Sequence, residues 1–284
     1  MPESKKAWDW EITSKTSYWG WSVRELWSYR HLLGSLVRRD FLLNYQQTIL
    51  GPAWILLQPL LTLVTYVLVF GRLVGISTGT LPPVLFYFSG IVLWNFFSDS
   101  FGGTSNTFRD NAQVFSKVYF PRLIVPMAVT STQFFRFSIQ FAMLLVLIGF
   151  YWAFRDLPSP FSLLTLAFPF AVVCVAGTGL GLGLLFSVIT AKYRDMASIV
   201  NLGIRMLMYL TPVIYPVGAL PKKYSWLVQL NPLTPLFELS RLSLLGEGTV
   251  TAGQLVYSFT FMIVVLSGAM LVFNKQGDKL IDVV

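Results

Sequence analysis

The sequence predicts an all-α polytopic membrane protein with six transmembrane helices, an N-terminal amphipathic interface helix and a re-entrant extracytoplasmic hairpin between helices 5 and 6. Three observations carry that prediction. Hydrophobic residues make up 55% of the 284 and charged residues only 12%, a balance foreign to an ordinary soluble domain. Asp, Glu, Lys and Arg are absent from residues 41–71, 73–98, 137–154, 157–191 and 248–274. Each interval, the third together with the apolar residues before Arg136, holds a helix able to cross a bilayer that needs roughly 20 apolar residues. Finally, the apolar run after Met196 carries Arg205 as its only charge and is broken at Thr211-Pro212 and Tyr215-Pro216. Proline removes a backbone donor and turns the preceding residue away from the helical region.

In chain order, residues 1–21 carry Lys5, Lys6 and Lys15 among Trp8, Trp10, Trp19 and Trp21, aromatic anchors of the kind that settle at headgroups. They lack an early apolar core followed by a small-residue cleavage site, so they do not read as a signal peptide. Residues 31–45 place Leu32, Leu33, Leu36, Val37, Phe41 and Leu43 on one half of a helical wheel and His31, Ser35, Arg38 and Arg39 on the other, although Asp40 and Leu42 break the pattern. This is the interface helix. The six spans are expected at about 52–71, 83–102, 123–151, 162–189, 197–216 and 251–273. Between the last two, Pro221, Pro232 and Pro235 divide Trp226, Leu227, Leu230, Leu236 and Phe237 into pieces too short to cross, which predicts the hairpin. Three regions follow: a cytoplasmic tail with the interface helix (1–51), the transmembrane domain (52–274) and a second cytoplasmic tail (275–284).

Of the 21 Lys and Arg residues, 14 fall on the side of the N-terminus and 5 on the other, while Arg136 and Arg205 lie inside helices. The positive-inside rule places both termini in the cytoplasm and the hairpin outside. The net charge of +8 is spread over these flanking segments without a zinc-finger or RNP pattern, so no nucleic-acid partner is expected. Cys174 is the only cysteine and there is one histidine, so neither an intrachain disulfide nor a multi-cysteine metal site can form. No GxxxxGK[ST], HExxH or GxSxG occurs, which leaves no P-loop for nucleotide phosphates and little basis for metal or triad hydrolysis. Gly177, Gly179, Gly181 and Gly183 contain two overlapping GxxxG spacings inside a charge-free interval, a pattern for close helix packing and not for a dinucleotide loop.

Four stretches carry a resemblance: RRDFLLNYQQTILGPAWILLQPLL (38–61), NAQVFSKVYFPRLIVPMA (111–128), AKYRDMASIVNLGIRMLMYLTPVIYPVGALPKKYSWLVQLNPLTPLFELSR (191–241) and the terminal GDKLIDVV. In this order they resemble the membrane subunit of type-2 ATP-binding-cassette exporters, above all those that export O-antigen and related cell-surface polysaccharides. The resemblance implies a multi-pass inner-membrane permease without enzymatic activity or cofactor of its own. It pairs with a second copy of itself and with two cytoplasmic ATPase subunits that bind ATP and Mg, and it moves a polyprenyl-diphosphate-linked polysaccharide. Teichoic acid or capsular polymer is the alternative cargo. An intramembrane transferase on lipid-linked sugars is the alternative of another class, but it would need clustered acids, and Asp99, Asp110 and Asp195 are isolated in sequence.

The resemblance also assigns sites. A coupling helix against the ATPase falls near residues 105–117, with Asn106, Arg109, Asp110, Asn111, Gln113 and Lys117. Helices one and five line the pathway in similar exporters, which makes Tyr66, Tyr209 and Tyr215 lining candidates, with Tyr87 and Trp94 beside them, because Tyr and Trp combine apolar area with a polar edge for sugar. From the residues alone, an arginine at a helix centre costs about 2.5–3.5 kcal/mol, so both intramembrane arginines need a partner. Gln133 or Gln140, near in helical register, suits Arg136, and a lipid diphosphate suits Arg205. The hairpin 217–241, with Leu220, Tyr224 and Leu227, is expected to close the outer end of the pathway.

Overall fold

The computed structural model describes residues 23–112, 115, 120–155, 163–193 and 195–280. Among them all regular secondary structure is helical, with no strand. Helices α1 (Val23–Ser28) and α2 (Arg30–Tyr45) precede a 3-10 turn, Gly51–Ala53, that opens α3 (Trp54–Tyr66). The chain continues as a π-helical turn, Val67–Leu73, and then α4 (Pro83–Ser105), α5 (Thr107–Asp110) and α6 (Ile124–Phe154). The 3-10 turn Leu163–Ala167 leads into α7 (Phe168–Lys192), followed by α8 (Met196–Leu210), α9 (Lys222–Leu230), α10 (Thr234–Leu245) and α11 (Ala252–Leu280). Among the described residues five stretches are long and apolar enough to cross a membrane: Gly51–Leu73, Pro83–Ser105, Ile124–Phe154, Leu163–Lys192 and Ala252–Gln276. They agree with the first four and the last of the expected spans. The stretch expected at 197–216 forms a shorter helix, Met196–Leu210, because Pro212 and Pro216 leave 211–216 as an irregular turn.

Helix α4 is the axis of the bundle. Leu85, Tyr87, Phe88 and Phe97 on it are fully buried, and α3, α6, α7, α8 and α10 all pack against it. A helix surrounded by others cannot be amphipathic, and its apolar residues accordingly lie on every face. The glycines of α7 explain how closely its neighbours approach. A Cβ on Gly179 would sit 3.2 Å from the Ser100 Cβ of α4, and one on Gly183 would collide with Thr104. On the opposite face a Cβ on Gly181 would sit 3.0 Å from the Leu266 Cα of α11, and one on Gly177 would strike Met262. Two small-residue seams therefore run down one helix, each seating a different partner.

Local chemistry sets the helix ends and mends the breaks. Pro59 inside α3 cannot donate to the carbonyl of Ile55, and Gln140 Nε2 from α6 donates to that oxygen instead, at 3.2 Å. A hydrophobic environment makes such replacement obligatory. At the start of α11, Thr251 and Gln254 cap each other reciprocally: the Thr251 N–H donates to Gln254 Oε1 at 3.0 Å and the Gln254 N–H to Thr251 Oγ1 at 3.4 Å. Gly246, at φ +77°, ends α10 in the left-handed conformation that glycine adopts without strain.

Candidate functional site

The six residues expected along a pathway separate into two groups. Tyr87 and Trp94 are buried in the bundle around α4. The Tyr87 ring meets Tyr66 edge-on at 6.2 Å, and Trp94 lies against Phe97 at 5.4 Å and Phe237 at 6.5 Å, which sets both away from any open surface of the chain. Of the other four, the three tyrosines lie where the end of α8 nears the end of α3, and Arg205 stands one turn earlier on α8. The Tyr66 hydroxyl donates to Met208 Sδ at 3.5 Å. The Tyr215 hydroxyl donates to the carbonyl of Tyr209 at 2.8 Å. Tyr209 itself is 61% exposed. Arg205, one turn before it, is exposed and makes no hydrogen bond or ion pair among the described residues.

Helical spacing makes these positions one stripe. Asn201, Arg205 and Tyr209 recur every fourth residue, all exposed, while Ala197, Val200 and Ile204 on the other face are buried. Asn201, one turn before Arg205, was not singled out from sequence, though the same spacing would have found it. On α3, Gln58, Leu61 and Thr65, and on the π-helical turn after it Leu68, are exposed at similar spacing. The hydroxyl of Thr65 is satisfied by the carbonyl of Leu61 at 2.9 Å.

At the opposite end of α4, the segment expected to couple is partly helical. Thr107–Asp110 forms a single turn, with Thr107 and Phe108 buried and Asn106 nearly so. Phe108 stacks on Phe273 of α11 at 4.9 Å and touches Phe115 at 5.5 Å. Arg109 and Asp110 point outward and pair with each other at 3.1 Å. Asn111 is held: its Nδ2 donates to the carbonyl of Thr107 at 3.2 Å, and its Oδ1 accepts from Arg39 Nη2 of α2 at 3.2 Å. This contact joins the loop to the expected interface helix. Gln113 and Lys117 lie outside the described residues.

The expected hairpin has two unlike arms. In α9, Tyr224, Trp226, Leu227 and Leu230 are exposed and Val228 alone is buried; Leu220, just before it, is half-buried. In α10 nearly every residue is buried, including Leu236, Phe237, Glu238 and Arg241. Arg241, counted from sequence among the outward positive charges, is only 2% exposed. Its Nη1 lies 3.4 Å from Glu238 Oε1, its Nη2 donates to the carbonyl of Val213 at 3.2 Å, and its guanidinium sits 3.9 Å over the Phe86 ring. Gly90 of α4 makes room, since a Cβ there would stand 3.2 Å from Arg241 Nη2. The second Glu238 oxygen accepts from the Thr249 N–H at 3.0 Å. Burial pulls the Arg241 guanidinium down to about 10, with Glu238 opposing the fall, so it stays charged at neutral pH. This pair is a structural feature that the sequence reading missed. Opposite charges three apart on a short helix were its signal.

Arg136 takes the partner expected in part. Its Nη1 donates to Gln133 Oε1 at 3.2 Å and lies 3.7 Å from Asp99 Oδ2 of α4. Gln140 instead serves Ile55 and accepts from Asn95 Nδ2 at 3.5 Å. Among the described residues no three of His, Cys, Asp and Glu come together as metal ligands.

The whole arrangement of a buried α4, a short α8 carrying an exposed charge, and a proline-broken hairpin can be set against known proteins. The model of the ABC-2 type transporter family matches residues 31–245. The chain belongs to the ABC-2 type transporter family. As a member it is a transport subunit. It is 29% identical over 259 residues, 90% of this chain and 96% of the relative, to the O-antigen export system permease protein RfbA of Myxococcus xanthus. It is 26% identical over 253 residues, 89% of this chain and 94% of the relative, to the protein of the same name from Klebsiella pneumoniae. Over 249 residues, 87% of this chain and 94% of the relative, it is 20% identical to the polysialic acid transport protein KpsM of Escherichia coli. The family match spans α2 to the end of α10, so all the candidate residues fall within it.

Proposed function

We propose that this chain is the membrane subunit of an ATP-driven exporter that carries polyprenyl-diphosphate-linked O-antigen polysaccharide across the bacterial inner membrane. Two copies form the membrane unit, and two cytoplasmic ATPase subunits supply the energy from ATP and Mg. The reading rests on the stripe of Asn201, Arg205 and Tyr209. A charge facing lipid at mid-membrane costs about 2.5–3.5 kcal/mol; the same charge facing water between two copies does not. An open stripe of charge, amide and phenol on a membrane helix therefore supports a polar path between paired α3 and α8 surfaces, with Tyr66 and Tyr215 beside it and Arg205 placed for the diphosphate. Tyr87 and Trp94 then serve as the packing behind that wall. The higher identity to the O-antigen permeases, 29% against 20% for the polysialic acid transport protein, favours O-antigen over capsular polymer.

In this reading the membrane is crossed six times. Helix α8, of 15 residues, reaches roughly 22 Å at 1.5 Å per residue, and the buried turn at 211–214 completes a hydrocarbon core of about 30 Å. Both termini are cytoplasmic, in keeping with the excess of Lys and Arg on that side. Helix α2 lies in the cytoplasmic interface. Arg109 and Asp110, with Asn106 and Asn111 behind them and Gln113 and Lys117 further on, meet the ATPase. The hairpin closes the outer mouth through Leu220, Tyr224 and Leu227 on its exposed arm. The deciding experiment reconstitutes the chain with its ATPase in liposomes and follows lipid-linked polysaccharide. Arg205→Ala is expected to cut transport at least tenfold with ATPase capture unchanged, and undiminished transport refutes the assignment. The chain alone hydrolyses no ATP in this scheme.

A further inference from the structure

A crevice of about 780 Å³ opens between α2, α6 and α7, with Phe96 of α4 at its floor. Its volume lies within the roughly 300–1,000 Å³ of sites that enclose small molecules. The walls are apolar and come from one face of each helix: Leu33, Val37 and Phe41 of α2 repeat every fourth residue, and Met127, Thr130 and Phe134 of α6 follow their own helical register. This region lies apart from the α8 stripe and from the hairpin, so the path proposed above leaves it unused.

Three polar side chains break the apolar wall, Arg38, Thr130 and Ser131, and the first two are unsatisfied. Arg38 lines the crevice and is exposed, yet it makes no hydrogen bond or ion pair among the described residues. Its neighbour Arg39 differs: that guanidinium is taken by Asp40 at 2.7 Å and by Asn111. Deeper in, Thr130 Oγ1 is enclosed and without a hydrogen-bond partner. An enclosed hydroxyl left unpaired costs free energy, and a turn of the half-buried Thr130 side chain towards an acceptor in the crevice would return it.

We infer that this crevice binds one anionic glycerophospholipid of the membrane, its phosphate on Arg38, an acyl ester oxygen on the Thr130 hydroxyl and its acyl chains along the walls. The chemistry selects this occupant. One free cation suits the single negative charge of a phosphodiester. An apolar cleft with a donor below its charged rim repeats the order of a glycerolipid: phosphate outermost, ester beneath, hydrocarbon innermost. Long basic side chains at membrane interfaces reach headgroups in this way. Because Asn111 is tied to α2 through Arg39, the lipid would also brace the helix on which the proposed coupling loop rests.

The test uses the full chain purified in mild detergent and mixed with phosphatidylglycerol or with phosphatidylcholine of the same acyl composition, bound lipid being counted by native mass spectrometry. The wild-type chain is expected to retain phosphatidylglycerol at least tenfold better than phosphatidylcholine. Arg38→Ala should lose that preference, Arg38→Lys should keep most of it, and Thr130→Val should weaken retention of both lipids. Gly34→Leu is a second route into the same site. A Cβ at Gly34 meets nothing within 4 Å, so the new side chain fills the crevice while leucine favours the helix, and retention should fall at least tenfold with the melting temperature in detergent unchanged. The inference is overturned if wild-type shows no preference for the anionic lipid, or if Arg38→Ala and Gly34→Leu both bind like wild-type. It is equally overturned if a polyprenyl diphosphate at equal concentration displaces the phospholipid in an Arg38-dependent manner, which would give the crevice to a transported lipid. These outcomes are independent of export, so failure here leaves the transport reading standing, and the reverse.

Discussion

Removing the charge at Arg241 tests the buried pair that holds α10. Arg241→Met keeps the long apolar stem and much of the volume, so little cavity forms. What changes is electrostatic: Glu238, 6% exposed, loses its cation and retains only the Thr249 N–H, and the carbonyl of Val213 loses its donor. Breaking one side of a buried ion pair costs about 3–5 kcal/mol. For a chain of this size that corresponds to a fall in melting temperature of roughly 6–20 °C. Adding Glu238→Gln removes the stranded charge and keeps an oxygen for Thr249, so the double variant should recover more than half of the loss. The assay is tryptophan-fluorescence melting in detergent of wild-type, both single variants and the double, read as a mutant cycle. If Arg241→Met melts with wild-type, or if the second substitution deepens the loss instead of relieving it, the pair does not anchor the hairpin.

Three further expectations follow from other contacts. Gly183→Leu drives a side chain into Thr104 and should destabilise the α4–α7 seam by about 1–3 kcal/mol or more, visible as lost monodispersity on size exclusion; a normal profile and melt would show that the seam can open. Arg109→Glu, on an exposed side chain already paired only to its neighbour, should leave the melt unchanged but reduce capture of the ATPase by about fivefold or more, and unaltered capture would remove Arg109 from the coupling surface. After replacement of Cys174, a cysteine at exposed Gly218 should label from outside, one at Asp110 from the cytoplasm, and one at buried Ser240 from neither side; exchange of the first two would invert the proposed orientation.

The spans were legible because charge is expensive in hydrocarbon. The span expected at 83–102, drawn around the charge-free interval 73–98, meets α4 within a few residues, and the four glycines of α7 were rightly assigned to packing, since each meets a neighbouring helix. The length of α8 was read too generously. A proline ends a helix, but apolar residues such as Val213 and Ile214 remain buried beyond it, so hydropathy outlasts the helix. Gln133 was readable as a partner of Arg136 because both lie on one helix; Asp99 was not, because its approach depends on how α4 and α6 pack. The Glu238–Arg241 pair shows the opposite failure. It is local and visible, but a positive charge in a proline-rich stretch resembles a surface loop unless burial is known. The polar stripe of α8 needed both levels: periodicity places Asn201, Arg205 and Tyr209 on one face, and only the fold shows that this face is open.

Asn231 gives the hairpin its mechanics. Its Nδ2 donates to the carbonyl of Leu210 at 3.1 Å and to Thr211 Oγ1 at 2.8 Å, while its Oδ1 accepts from the Leu233 N–H at 3.0 Å. The same corner is held from the other side by Ser258 Oγ of α11, donating to the carbonyl of Pro232 at 2.7 Å. One amide thus rivets the last turn of α8 to the elbow between α9 and α10, and α10 in turn lays its Arg241 guanidinium over the Phe86 ring of α4. In the proposed gating, a slide or rotation of α8 would be carried through that rivet to α9, the arm with the fewer buried side chains. The hairpin is in this sense a crank, with α8 as its shaft and α9 as its free end.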